Sequence, residues 1–125
     1  MTENEISNII LEEAIKIHKS IGPGMLESVY THCLSHRLNA RGLTIRIEVP
    51  VPLVYETIKL ECGYRADILV EEKVILEIKS IESIAPIHIS QTLTYLRLLN
   101  LKLGILLNFN TVLLKDGIKR VVNNL

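Results

Sequence analysis

The sequence predicts an α/β domain, a mixed sheet with helices against it, and three observations predict it. Apolar residues recur at helical spacing over residues 2–21 and again over 26–41. Between residues 43 and 79 they alternate or form short runs, as strands do. A third helical stretch, about Ile87 to Leu99, separates this region from a buried strand at Gly104–Phe109. The order of types is ααββββαβββ, with no linker, repeat or low-complexity segment, so one domain is expected over residues 1–125.

The first helix starts at a capping box, Thr2-x-x-Glu5, and carries Ile6, Ile9, Ile10, Ala14, Ile17 and Ile21 on one face. Gly22-Pro23-Gly24 breaks it, because proline has no N–H to donate and glycine accepts turn conformations. The second helix runs from about Leu26 to Arg41, with Leu26, Val29, Tyr30, Cys33, Leu34 and Leu38 as its apolar stripe and Gly42 as its stop. Leu43, Ile45, Ile47, Val49, Val51 and Leu53 then face one way, and Thr44, Arg46, Glu48, Pro50 and Pro52 the other. That is one half-buried strand, an edge toward its prolines. Ile58–Cys62 is a short strand leading into a hairpin, Tyr64–Val70 and Val74–Lys79 across Glu71-Glu72-Lys73. Pro86 precedes the third helix. After Gly104–Phe109, Asp116-Gly117 reads as a two-residue hairpin turn between Val112–Leu114 and Ile118–Val122.

Composition bounds the function. The chain has 14 basic and 14 acidic residues, which weighs against nucleic-acid binding by net charge alone. A local basic patch remains open, since Arg97, Lys102, Lys115, Lys119 and Arg120 fall in the last third. The 48% hydrophobic content excludes a disordered chain and leaves apolar area for self-association as a two-fold homodimer. No apolar run approaches the roughly 18 residues of a membrane span. The acidic start, Met1-Thr2-Glu3-Asn4-Glu5, lacks a signal pattern, so a cytoplasmic protein with no membrane partner is expected. Cys33 and Cys62 have neither CxxC spacing nor a disulfide-rich context and read as buried free thiols.

One pattern carries chemistry: Asp67-x9-Glu77-x-Lys79. The hairpin sets Asp67 roughly opposite Glu77, and alternation puts Glu77 and Lys79 on one face. Charges inside an otherwise apolar strand pair are costly unless paired or bound to a metal. Two oxygen ligands beside an ammonium suit Mg²⁺ or Mn²⁺ and a polarised water, the alternative being solvent-facing strand positions. Gly24-x-x-Glu27-x-x-Tyr30 places Glu27 one turn from Tyr30, either as a third carboxylate aimed at that site or as a glutamate favouring the helix dipole. His88, Gln91 and Tyr95 share a face of the third helix. They are either a solvated stripe or a group that binds phosphate or a base edge, or buttresses Lys79. His32 and His36 have zinc-binding spacing but no third ligand, and read as a solvated flank.

Together these residues resemble a known group. Gly24-x-x-Glu27-x-x-Tyr30, Gly63-Tyr64-Arg65-Ala66-Asp67, Glu77-Ile78-Lys79, Pro86-x-His88-x-x-Gln91-x-x-x-Tyr95-Leu96 and Gly104-x-Leu106-x-Asn108-Phe109-Asn110 are similar, in order, to the GxxExxY protein family, which is placed in the PD-(D/E)xK nuclease superfamily. The resemblance implies a restriction-endonuclease-like core and a nuclease acting on DNA or RNA with Mg²⁺ or Mn²⁺. By position it makes Asp67, Glu77 and Glu27 the metal-binding carboxylates and Lys79 the residue that orients or activates water. Gln91 and Tyr95 match a Q-x-x-x-Y element of some exonuclease branches, so these two, with Tyr30 and His88, are candidates for binding substrate. Arg65-Ala66 stands before Asp67 where the superfamily's naming proline would be. A non-catalytic nuclease-fold protein, acting as a binding or regulatory module, is the alternative.

Overall fold

The computed structural model describes residues 1–61 and 63–125. The reading of Cys62 as a buried thiol lies outside them; Cys33 is a free thiol, half-buried. Helix α1 spans Glu3–Ile21 and opens on the expected capping box, with Glu5 N–H donating to Thr2 Oγ1 at 3.2 Å and Thr2 N–H to Glu5 Oε1 at 3.1 Å. Helix α2 spans Glu27–Ala40. Its inner face is narrower than the stripe in the sequence: Tyr30, Leu34 and Leu38 are buried, whereas Leu26 and Val29 are exposed. Helix α3 spans Pro86–Leu99 and ends at Asn100 in the left-handed conformation.

Among the described residues seven strands form two sheets. They are β1 (Ile45–Pro50), β2 (Leu53–Tyr55), β3 (Ile58–Leu60), β4 (Arg65–Val70), β5 (Val74–Lys79), β6 (Leu103–Asn108) and β7 (Ile118–Val122). The main sheet has the order β1-β4-β5-β6-β7, and β2 pairs only with β3. All neighbours are antiparallel except β5 and β6, which α3 joins by a parallel crossover. This mixed sheet flanked by helices is consistent with the restriction-endonuclease-like core. One face packs on α1 and α2 through Ile68, Val70, Leu76, Ile78, Ile105 and Leu107. The other packs on α3 through Leu69, Ile75 and Leu106 against Tyr95 and Leu96.

Two expectations need correction. The long alternation from Leu43 to Leu53 is not one strand with one inner face. Leu43 and Ile45 join the core under α1 and α2, whereas Val49 and Val51 join the core under α3. Between them Glu48 takes a φ of 53°, which rotates the alternation by one position and leaves Ile47 exposed. Pro50 and Pro52 cannot donate to a ladder, and pairing stops before β2 begins. The second correction concerns Asp116-Gly117. Leu114–Gly117 is a turn of 3₁₀ helix, and no strand forms at residues 112–114.

Gly117 is needed there for space. A Cβ on it would lie 2.2 Å from the Asn108 carbonyl oxygen, a backbone atom that cannot step aside. Gly117→Ala should therefore cost about 3 kcal/mol, the upper part of the overpacking range, read as a lowered midpoint in urea unfolding. An unchanged midpoint would mean that the two segments separate without loss.

Glu13 is the residue that periodicity missed most clearly. It has no exposed surface, yet it lies on α1 between Ile10 and Ile17. Arg37 Nε donates to Glu13 Oε1 at 2.9 Å, Arg41 Nη1 lies 3.4 Å from Oε2, and Lys16 Nζ 3.5 Å from it. The Arg37 bond holds this carboxyl below the usual range and, with Arg41, fastens α1 to α2. Sequence spacing within one helix could not show this, because two of the three cations come from α2 and the residue that caps it.

Candidate active site

β4 and β5 pair from Val70–Val74 to Ile68–Leu76. The next step sets Asp67 against Glu77, and there side chains take over from the backbone ladder. Ile78 N–H donates to Asp67 Oδ2 at 2.7 Å, and Asp67 N–H donates to Glu77 Oε2 at 3.4 Å. On the other side of β4, the residue in register with Asp67 is Glu48, the one held in the left-handed region. A non-glycine residue there costs about 1–2 kcal/mol, and such strain gathers at functional sites. Regular pairing thus lapses on both sides of Asp67, and the sheet opens where the two carboxylates meet.

Glu77 is 4% exposed, and its Oε1 is buried with no hydrogen-bond partner. Burial pushes its carboxyl up to about 9, the charge of Asp67 pushes the same way, and Lys79 opposes. A buried acceptor left unmet beside a second carboxylate calls for a proton or a cation. Two carboxylates with one free buried oxygen are the hard donor set that a divalent ion such as Mg²⁺ or Mn²⁺ takes, so the residues present fit the metal. Lys79 follows two residues later, half-buried on the same face of β5.

A pH dependence follows. The folded-state pKa of Glu77 is raised from 4.5 to about 9, so without metal the folded protein binds more protons than the unfolded chain between these values. The associated stability is complete below the unfolded value, erodes as pH rises through the window, and is gone above the folded value. The melting temperature in chelator should fall as pH rises from mildly acid to alkaline. Adding Mg²⁺ or Mn²⁺ on the alkaline side should restore it. A profile flat with pH would show that Glu77 ionises without penalty.

The other predicted residues occupy different positions. Tyr95, on α3, is 6% exposed, and burial followed by the charge of Glu77 pushes its hydroxyl up to about 12, so it stays a protonated donor near the pair. Gln91, one turn earlier, is exposed. His88 does not join them as a free group, since its Nδ1 accepts from Ala85 N–H at 2.9 Å and caps the helix start. Tyr30 has no exposed surface. Its hydroxyl donates to Gly22 O at 2.6 Å and accepts from Met25 N–H at 3.1 Å, and its ring stacks on Phe109 with centroids 4.3 Å apart. It holds the glycine turn in place.

Glu27 sits at the first turn of α2, exposed, with Oε2 accepting from Ser80 N–H at 3.1 Å. Ser80 Oγ donates in turn to Met25 O at 2.7 Å. The turn thus aims α2 at the end of β5, but the expected convergence on Asp67 does not occur. Among the described residues no three His, Cys, Asp or Glu side chains gather closely enough to hold a metal ion. Glu27 grips the residue after Lys79 instead. His32 and His36 are exposed, with His32 Nδ1 2.8 Å from Ser28 O.

In the sequence Asn108 stands out only as part of a motif. Buried at the end of β6, it accepts from Ile81 N–H at 3.2 Å through Oδ1 and donates to Ile81 O at 3.0 Å through Nδ2. This two-bonded clamp fixes the chain just beyond Lys79. A polar residue closing an apolar run, Gly104–Leu107, was the signal that could have found it.

A model of the PD-(D/E)XK nuclease superfamily matches residues 4–121. No curated protein and no solved structure matches the chain. Nucleases of this superfamily generally use divalent metals, in keeping with the donor set at Asp67 and Glu77. Among the described residues no helix is long and apolar enough to cross a membrane. With the match running from the first turn of α1 to β7 and including the strands that carry Asp67, Glu77 and Lys79, the chain belongs to the PD-(D/E)XK nuclease superfamily.

Proposed function

We propose that the protein is a Mg²⁺- or Mn²⁺-dependent nuclease that hydrolyses phosphodiester bonds of DNA or RNA. The observation that carries this is the unpartnered buried Oε1 of Glu77 beside Asp67, at the point where the strand ladder opens. A divalent cation held by Asp67 and Glu77 would supply positive charge to a phosphate oxygen and lower the pKa of bound water. The chain's own residues do the rest. Lys79 presents its ammonium on the face of the pair, where it orients the attacking water and favours the charge that builds on the phosphate. Tyr95 keeps its proton and offers a hydrogen bond to substrate. Glu27 acts through Ser80, holding the end of β5 so that Lys79 is correctly placed. Gln91, exposed near the start of α3, contacts substrate beyond the scissile bond, and His88 holds that start in place.

The motif set supports assigning the chain, within its superfamily, to the GxxExxY proteins. Nucleic acid is the partner in this reading. A two-fold dimer, which would widen the short binding face of one domain, is its working assembly. The test is an assay on single-stranded, duplex and branched DNA and on RNA, with Mg²⁺, Mn²⁺ or chelator. Cleavage that needs the ion supports the reading. A second reading is favoured by the position of Glu27, which leaves only two carboxylates together among the described residues: a nuclease-fold binding or regulatory module without catalysis. Wild-type protein that binds nucleic acid but neither takes up metal nor cleaves would establish it.

A further inference from the structure

A groove of about 600 Å³ runs between β1, the β2–β3 ribbon, the approach to β4 and the end of α3. Neither the metal pair nor Lys79 lines it. Its walls carry three cations, Arg46, Lys59 and Arg65, against one carboxylate, Glu61. Arg46 is paired to Glu72 at 2.9 Å, whereas Lys59 and Arg65 have no ion-pair partner among the described residues. Tyr64 also lines the groove and is 46% exposed.

Two of its lining residues, Tyr64 and Arg65, link the groove to the carboxylate pair. Arg65 lies two residues before Asp67 on the same strand. The Tyr64 ring lies 6.3 Å from the Tyr95 ring, centroid to centroid, and the Tyr95 hydroxyl feels the charges of Glu77 and Asp67. A path therefore leads from the groove past two tyrosines to the opening in the sheet.

We infer that this groove holds a single-stranded nucleic acid beside the scissile phosphate, with Tyr64 stacking on an unpaired base and Lys59 and Arg65 on the backbone. The inference rests on the nuclease reading for the location of the scissile phosphate and goes beyond it by naming the strand state and the subsite. Three observations favour a single strand over a duplex. Glu77 is nearly enclosed, so the phosphate must enter a recess, which a flexible strand does without deforming a duplex. An exposed aromatic ring can stack only on a base whose face is free. Two unpaired cations in a chain of zero net charge match a short run of phosphates, not the dense charge of a duplex.

The test uses the full chain in chelator, where no cleavage occurs, with a short fluorescent oligodeoxythymidylate and its duplex with oligodeoxyadenylate, read by anisotropy. The wild type should bind the single strand more tightly than the duplex. Tyr64→Ala should weaken single-strand binding by roughly tenfold to a hundredfold, and Tyr64→Phe should restore it, because the ring and not the hydroxyl stacks. Lys59→Ala and Arg65→Ala should each flatten the salt dependence, by about 0.7 in the log–log slope for one lost phosphate contact. Lys19→Ala, exposed on α1 at the opposite face of the sheet, should change neither. Equal affinity for duplex, or Tyr64→Ala binding as well as wild type, would overturn the proposal, as would polyglutamate competing equally, which would assign the groove to an acidic protein. Because no step reads cleavage, groove binding without hydrolysis would defeat only the nuclease reading. Hydrolysis with binding indifferent to Tyr64 would defeat only the groove.

Discussion

Lys79→Ala should leave the fold and metal uptake in place while phosphodiester hydrolysis falls by ~10²–10⁴-fold, the range that a positioned group acting on water typically supplies. The strand does not need the side chain. Lys79 O accepts from Phe109 N–H at 3.0 Å, and Lys79 pairs with Asn108 in the parallel ladder, both through the backbone. The charge matters to its neighbour, since Lys79, with the Asp67 N–H, lowers the proton affinity of Glu77. Its loss therefore has two opposed effects on metal binding: less repulsion of the ion, and a proton held more firmly on Glu77. Affinity should stay within about tenfold of wild type at alkaline pH, where the proton competes least. The checks are metal titration by calorimetry and single-turnover cleavage. A Lys79→Ala variant that cleaves as fast as wild type would refute the assigned role.

Asp67→Asn should remove both metal binding and activity, because the pair would keep only one carboxylate. The amide oxygen can still accept from Ile78 N–H, as Asp67 Oδ2 does at 2.7 Å, so the hairpin should hold. The charge of Asp67 is one cause of the raised Glu77 pKa, and its removal should bring that group back toward the usual range, although burial remains. Two stability readouts then separate from activity. In chelator at alkaline pH the variant should be at least as stable as wild type, since two like charges are no longer forced together. With metal in hundredfold excess over its dissociation constant, wild type should gain about 2.7 kcal/mol and the variant nothing. A variant that still gains stability from Mg²⁺ or Mn²⁺ would mean that the ion is held elsewhere.

Much of the chain declares itself locally. The capping box at Thr2 and Glu5, the break at Gly22–Gly24, the hairpin over Glu71–Lys73 and the helix after Pro86 depend on neighbours within a few residues, and all appear in the structure. The pairing of Asp67 with Glu77 was legible for the same reason, since a short turn fixes register and alternation fixes face. Three features were not. Glu48 looks like one more solvent-facing residue of an alternating strand, and only its place in register with Asp67 shows why the strand kinks there. Asp116-Gly117 has the composition of a hairpin turn, but the crowding of Gly117 against Asn108 O comes from a strand nine residues earlier in the chain. Glu13 is buried because cations from another helix reach it.

The sequence by itself determined the three helices, the α/β class and the three residues, Asp67, Glu77 and Lys79, that share one hairpin. These rest on spacing and alternation, interactions that a chain carries along its own length. Tertiary structure decided the rest. It left Glu77 with an unmet buried oxygen, set Glu27 on Ser80 instead of on the pair, turned Tyr30 into a buried brace, and opened a groove beside Tyr64. Each depends on which distant segments are packed together, and burial, which sets the energy of a charge or an unpaired oxygen, exists only once they are.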